Sequence, residues 1–197
     1  MSTYLARNGK MLTRLNGTRY FGDNSSPVPP TPPTPTEVII GDQTWMSTNL
    51  AVDDGQGGIY TQTVNYGQGD VTEYYYTWDA AVRVAATVSG WHLPSTTEWD
   101  TLADTVGGTS TAGTKLKSTY GWSSGNGTDD YGFSAFPSGY WNSGEFSKFE
   151  HGSYFWTSNE RSATAAYLRY FYFLAAMKSD YYNKTNYAYT LRLIKDS

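Results

Sequence analysis

The chain has 197 residues, a formal net charge of −4, charged residues at only 16% and no cysteine. That charge gives no electrostatic case for nucleic acid or an anionic membrane as partner. Without cysteine there can be no disulfide, thiolate metal site or cysteine nucleophile.

Residues 1–22 carry two Asn-Gly dipeptides, Asn8-Gly9 and Asn16-Gly17. Both central residues of a type I′ turn need positive φ, so a small three-stranded meander is expected. The segment is basic (Arg7, Lys10, Arg14, Arg19) with no acidic residue. It is too short to bury a core alone, which suggests docking to a larger assembly or to itself, with a frayed terminus as the alternative. It also lacks the continuous apolar core of a signal peptide, and no apolar run in the chain reaches transmembrane length, so no membrane insertion is expected. Residues 23–36 hold six of the eight prolines. Such a stretch favours polyproline II, and at ~3.1 Å per residue Pro27–Pro35 would span about 28 Å as a stalk at a domain boundary.

The main domain, residues 37–197, opens as strand, tight turn and strand: Val38–Ile40, Gly41-Asp42, Gln43–Met46. From Asp53 to Tyr76 glycine-rich loop alternates with short aromatic pieces. Thr77–Val88 places Trp78, Ala81, Val82, Ala85 and Ala86 at helical spacing, with Thr77 as N-cap. Ser95-Thr96-Thr97-Glu98 is a capping box opening a second helix; Trp99, Leu102, Ala103 and Val106 share its inner face and Gly107-Gly108 closes it. Beyond Gly108, glycine, serine, asparagine and aromatics dominate, and short strands are expected. Two early helices followed by loops and strands give the α+β class.

Residues 158–196 have a different character. Between Tyr167 and Tyr189 lie seven tyrosines (167, 170, 172, 181, 182, 187, 189) and four charged residues. Tyrosine combines large contact area, a polar tip and few torsions, and mixed with small polar residues it is the composition of a paratope. A strand-rich core is the alternative, since tyrosine and phenylalanine form strands well. Leu168, Tyr170 and Tyr172 share one strand parity, opposite to Arg169, Phe171 and Phe173, so one row can pack inward while the other is displayed. The adjacent Tyr181 and Tyr182 must point to opposite faces. The displayed, ligand-binding set is expected to be Ala165, Leu168, Tyr170, Tyr172, Leu174, Ala175, Ser179, Asp180, Tyr181 and Tyr182.

Taken together, IGDQTWMSTNL (40–50), YTWDAA (76–81), GWHLPSTTEWDTL (90–102), GTKLKS (113–118), GTDDYGFSAFPSGYW (127–141), YFWTSNE (154–160) and YTLRLIKD (189–196) resemble the Fibrobacter succinogenes major paralogous domain across residues 37–197. The resemblance implies a C-type-lectin-like fold related to the formylglycine-generating sulfatase-modifying domain. Two helices would flank small antiparallel sheets, the chain ends would lie close together, and one face would be loop-rich and ligand-binding. A subset of this family serves as the variable protein of diversity-generating retroelements, where adenine-directed mutagenesis rewrites codons near the C-terminus, often those of asparagine. Such codons reach Tyr, Ser, Asp, Leu, Phe, Ala and Thr but not Lys, Glu, Met, Gln or Trp; Met177 and Lys178 would then be template-fixed. The resemblance therefore implies a diversified surface between fixed FWTSNE and LRLIKD ends, on a phage tail or bacterial cell surface, recognising a protein or glycan on a bacterial surface. A carbohydrate-binding module without diversification is the alternative; its site would be concave with a few converging polar groups.

The sulfatase-modifying chemistry needs cysteines, which are absent, and neither His92 nor His151 lies in a Ser-plus-acid pattern visible in the sequence, so no enzyme is expected. Asn126, Asp129 and Asp130 with Gly127 and Gly132 could offer oxygens to calcium, but their spacing is not that of an EF-hand loop and turn-capping is the preferred reading. The Glu-Pro-Asn and Trp-Asn-Asp phrases of calcium-dependent sugar-binding lectins are absent; Trp141-Asn142 is followed by Ser143. No cofactor is expected.

Overall fold

A computed structural model describes residues 36–197 together with two short strands, β1 (Tyr4–Leu5) and β2 (Met11–Leu12). These two pair antiparallel, Tyr4 opposite Leu12 and Leu5 opposite Met11. The third strand of the expected meander and the proline-rich stalk lie outside the described residues. The chain divides into two compact units, Met1–Pro32 and Pro33–Ser197.

The second unit begins with the expected hairpin, β3 (Glu37–Ile40) and β4 (Gln43–Met46), turning at Gly41 with φ of 62°. Residues 53–76 are not mainly loop. Ile59–Asn65 (β5) and Asp70–Tyr76 (β6) form an antiparallel hairpin paired from Ile59↔Tyr76 to Asn65↔Asp70. The glycines bracket the two strands and occupy the turn rather than interrupting them, and the Thr/Tyr/Val content supports the ladder.

Helix α1 (Trp78–Ala85) starts where expected, although Thr77 makes no side-chain cap bond. Its buried face is Trp78, Ala80, Ala81, Val84 and Ala85. Val82 and Ala86, expected inside, are exposed, because the helix ends at Ala85 and turns its Ala80/Val84 side to the core. After β7 (Trp91–His92), helix α2 (Thr96–Thr105) has the full capping box: Ser95 Oγ accepts from the Glu98 N–H while the Glu98 carboxylate accepts from the Ser95 N–H. A third helix follows, α3 (Thr109–Leu116), where only short strands and loops were expected. TSTAGTKL is rich in poor helix formers. It is held by burying Ala112, Gly113 and Leu116 and by packing on α2 and on a later strand.

The remaining strands are β8 (Tyr140–Asn142), β9 (Glu145–Ser147), β10 (Ser153–Ser162), β11 (Ala165–Phe171), β12 (Met177–Asn183), β13 (Tyr187–Ala188) and β14 (Ile194–Lys195). They complete small antiparallel sheets with orders β10-β11-β12, β13-β8-β9 and β3-β4-β14-β7. The domain is α+β with three helices. Its beginning and end meet: β14 pairs with β4, and Lys195 Nζ donates to Glu37 Oε1 at 2.6 Å.

Two hydrophobic cores lie on opposite sides of the β10-β11-β12 sheet. Tyr154, Trp156, Ala166 and Leu168 project into the core that also holds α1, Tyr189, Leu191 and Leu193. Phe155, Phe171 and Met177 project into the other, with Trp45, Trp99, Leu102, Leu116 and Phe133. Arg192 ties the ends of several loops together from a fully buried position, donating to the carbonyls of Met46, Phe133 and Ser134 and to Asn49 Oδ1.

Candidate ligand-binding face

Successive residues of β11 and β12 alternate between the two sides of their sheet, so the pairs Ala166↔Tyr182, Leu168↔Asp180 and Tyr170↔Lys178 share one side. Leu168, expected on display, is fully buried there among the α1 core residues and is no ligand contact. Parity alone could not reveal that this part of the sheet is covered on both faces. Tyr170 and Tyr182, farther toward the rim of the same side, remain partly open.

These two join tyrosines from other segments in a two-tier cluster. Tyr154 and Tyr189 form the buried tier, their rings stacked 5.7 Å apart. Tyr170 stacks on Tyr154 at 5.6 Å; Tyr140 meets Tyr154 edge-on at 5.0 Å; Tyr187 lies 6.0 Å from Tyr189 and 4.7 Å from Tyr182. Four half-open rings, Tyr140, Tyr170, Tyr182 and Tyr187, thus rest on two buried ones. Tyr140 on β8 was missed in the sequence because nothing local links it to residues 158–196; Tyr187 on β13 belongs to the tyrosine-rich stretch but was not in the expected ligand-binding set. The pairing of β13 with β8 brings them together.

Asp180 stands on the same side. Burial, and after it the Asp180 carboxylate, raises the proton affinity of both Tyr170 and Tyr182. The phenols therefore stay protonated at neutral pH and present O–H donors beside their ring faces.

Of the other expected residues, Tyr172 and Leu174 and Ala175 lie in the β11–β12 turn, with Leu174 and its neighbour Phe173 each half exposed. This turn is anchored from beneath. Lys117 Nζ donates to the carbonyls of Tyr172 (3.0 Å), Leu174 (3.3 Å) and Gly125. Burial pushes Lys117 down to about 8, which leaves it protonated at neutral pH with all three donors in use. Thr114 N–H donates to the Ala175 carbonyl, and a Cβ on Gly113 would sit 2.6 Å from that oxygen, so the close approach needs glycine.

Ala165, Ser179 and Tyr181 belong to the opposite side of the sheet. Ser179 Oγ accepts from Arg169, whose guanidinium also binds Asp100 at 2.7 Å and the Thr96 carbonyl, clamping β11 to α2. Tyr181 is half exposed, beneath the Arg161 guanidinium at 5.2 Å and edge-on to Tyr167. The expected set is therefore divided between the tyrosine face, the turn and this second side.

The polar loops serve local structure. Asn126 Oδ1 accepts from the Trp122 N–H and the Asp129 carboxylate accepts from Ser134, so these side chains cap their own loop. Among the described residues no three His, Asp or Glu side chains form a metal-holding group. His92 sits between Asp196 (2.6 Å) and Glu98 (2.8 Å); burial opposes its charge, but the two carboxylates hold its pKa above the usual imidazole value. His151 Nδ1 lies 2.5 Å from Ser123 Oγ on an exposed loop, a proximity that 28 residues of separation hid in the sequence.

These features define an α+β domain of small antiparallel sheets around two aromatic cores, with an open tyrosine face. A family model for the Fibrobacter succinogenes major domain matches residues 38–195, from β3 to β14, and the chain belongs to that family. No curated protein and no solved structure gives a significant match.

Proposed function

We propose that this chain is a non-enzymatic ligand- or receptor-binding protein that displays a diversifiable tyrosine-rich surface on a C-type-lectin-like scaffold. The observation that carries the reading is the two-tier tyrosine cluster: open rings from four strands, β8, β11, β12 and β13, seated on buried Tyr154 and Tyr189. A rigid buried base lets the outer residues vary without loss of fold, and tyrosine supplies contact area at low entropic cost. The residues flanking the displayed stretch support the same division. Phe155, Trp156, Leu191 and Leu193 are core, as fixed ends should be. The family includes variable proteins of diversity-generating retroelements, and the partner in this reading is a protein or glycan on a bacterial surface. The basic segment 1–22 would dock the domain to a phage tail, a cell-surface assembly or further copies, through the proline-rich stalk. The test is twofold. The locus should hold a reverse transcriptase gene and a near-repeat of the region encoding 158–196 that differs mainly at adenines. A binding screen on bacterial surface proteins should yield a ligand whose capture is lost in Tyr170→Ala and Tyr182→Ala. A locus with neither gene nor repeat contradicts the retroelement reading, and binding indifferent to both tyrosines contradicts the face.

A further inference from the structure

A cavity of about 420 Å³ opens between the segment that follows β4 and the far end of the β5–β6 hairpin, and none of its lining residues belongs to the tyrosine face. At its floor is Glu73, only 5% exposed. Glu73 Oε1 accepts from the Tyr66 hydroxyl at 2.8 Å and Oε2 from Asn49 Nδ2 at 2.9 Å. Asn49 Oδ1 in turn accepts from Arg192 Nε at 2.9 Å. One side of the cavity is aromatic: Tyr66 and Phe136 stack at 4.7 Å, and Tyr120 meets Phe136 edge-on at 5.0 Å.

We infer that this cavity is a binding site for a single neutral sugar unit. An ionised carboxylate has about four acceptor positions, and the two bonds to Glu73 occupy two of them. The floor therefore asks its ligand for hydrogen-bond donors. Buried Arg192 offsets the Glu73 charge through the single Asn49 amide, so the pair calls for a charged ligand of neither sign. The remaining chemistry is an uncharged molecule that offers hydroxyl donors at one edge and an apolar C–H face toward the aromatic wall. A pyranose ring has both, and the volume falls within the ~300–1,000 Å³ range of small-ligand pockets. The site is concave with converging polar groups, unlike the broad tyrosine face, and would give the protein a second, independent contact with a glycosylated surface.

Glu73→Gln is a poor probe because it strands the Arg192 charge. The experiment is saturation-transfer NMR on the full chain with methyl glycosides of neutral hexoses and N-acetylhexosamines, beside an amino sugar and a uronic acid. At least one neutral glycoside should give transfer. The signal should vanish in Thr48→Trp, where an indole replaces an exposed side chain lining the cavity, and Tyr120→Ala should weaken binding roughly tenfold, the equivalent of one lost contact of about 1.4 kcal/mol. Circular dichroism checks that both variants fold; should Thr48→Trp not fold, Gln68→Trp at the exposed hairpin end takes its place. No transfer to any neutral glycoside, binding of only the charged sugars, or a signal that survives the blocking substitution overturns the assignment.

Discussion

Tyr170 stacks on Tyr154 with ring centroids 5.6 Å apart and planes 15° from parallel. Tyr154 is core and Tyr170 is half open, so this pair is where the packed interior becomes the binding face. A ring at Tyr170 is oriented by a buried neighbour, which lowers the cost of ordering it when a partner binds.

Buried and displayed residues of the same sheet should respond differently to truncation. Leu168→Ala removes a fully buried side chain and should destabilise by ~2–5 kcal/mol. Tyr182→Ser and Tyr181→Ser, both on exposed positions of β12, should stay within about 1 kcal/mol. Urea unfolding monitored by fluorescence decides it; equal losses at both kinds of site would make the outer tyrosines structural.

Alkaline pH should unfold the domain in a way that follows its buried phenols. Burial raises the pKa of Tyr66, Tyr75, Tyr76, Tyr154 and Tyr189 above the ordinary 10.0. A raised folded-state pKa means the native chain holds protons that the unfolded chain releases first. The stability these groups contribute is fully present below pH 10 and falls as pH rises beyond it. Phenolate absorbance should show a class of tyrosines that ionises only with loss of near-UV circular dichroism. A single smooth titration with the fold intact would contradict this burial.

Lys117 should matter to the turn more than to the cores. Lys117→Met keeps the apolar stem but strands the carbonyls of Tyr172, Leu174 and Gly125, a cost of ~1–3 kcal/mol. Amide exchange should accelerate over residues 172–176 while that of β10 stays slow. Unchanged exchange in the turn would show that the Thr114–Ala175 bond alone holds it.

Much of the scaffold could be read before the structure, where the signal is local. The Ser95/Glu98 capping box, the Gly41 hairpin and the inner face of α2 are each contained in a few consecutive residues, and all are present. Features set by tertiary contact were not legible. Helix α3 has weak propensity and exists because the core receives Ala112 and Leu116. The β5–β6 hairpin was masked by flanking glycines. Within the candidate site, the separation of Tyr181 from Tyr182 followed from strand alternation, but the burial of Leu168 depended on the core it enters with Trp156, Leu191 and Leu193, and the tyrosine cluster depended on Tyr140 and Tyr154 arriving from other segments.

Once a ligand is in hand, a few rings should dominate the interface. Tyr→Phe at Tyr170 or Tyr182 should cost about 1 kcal/mol for one hydrogen bond, and Tyr→Ala about 2 kcal/mol or more because ring burial is lost as well. Titration calorimetry across Tyr170, Tyr172, Tyr182 and Tyr187 measures this; loss of binding confined to the Asp129-Asp130 loop would move the site.

The tyrosine face and the adjoining β11–β12 turn should change their residues while the fold stays fixed, and a library tests this without knowing the natural ligand. Tyr170, Tyr172, Lys178, Asp180, Tyr182 and Tyr187 are randomised together in the full chain, and folding is scored by protease resistance. The same library is selected against unrelated protein targets. Most members should resist protease like the parent, and selected binders should lose their target when these six positions revert. A library that is mostly protease-sensitive, beside a control library at exposed α2 positions that is not, would contradict it.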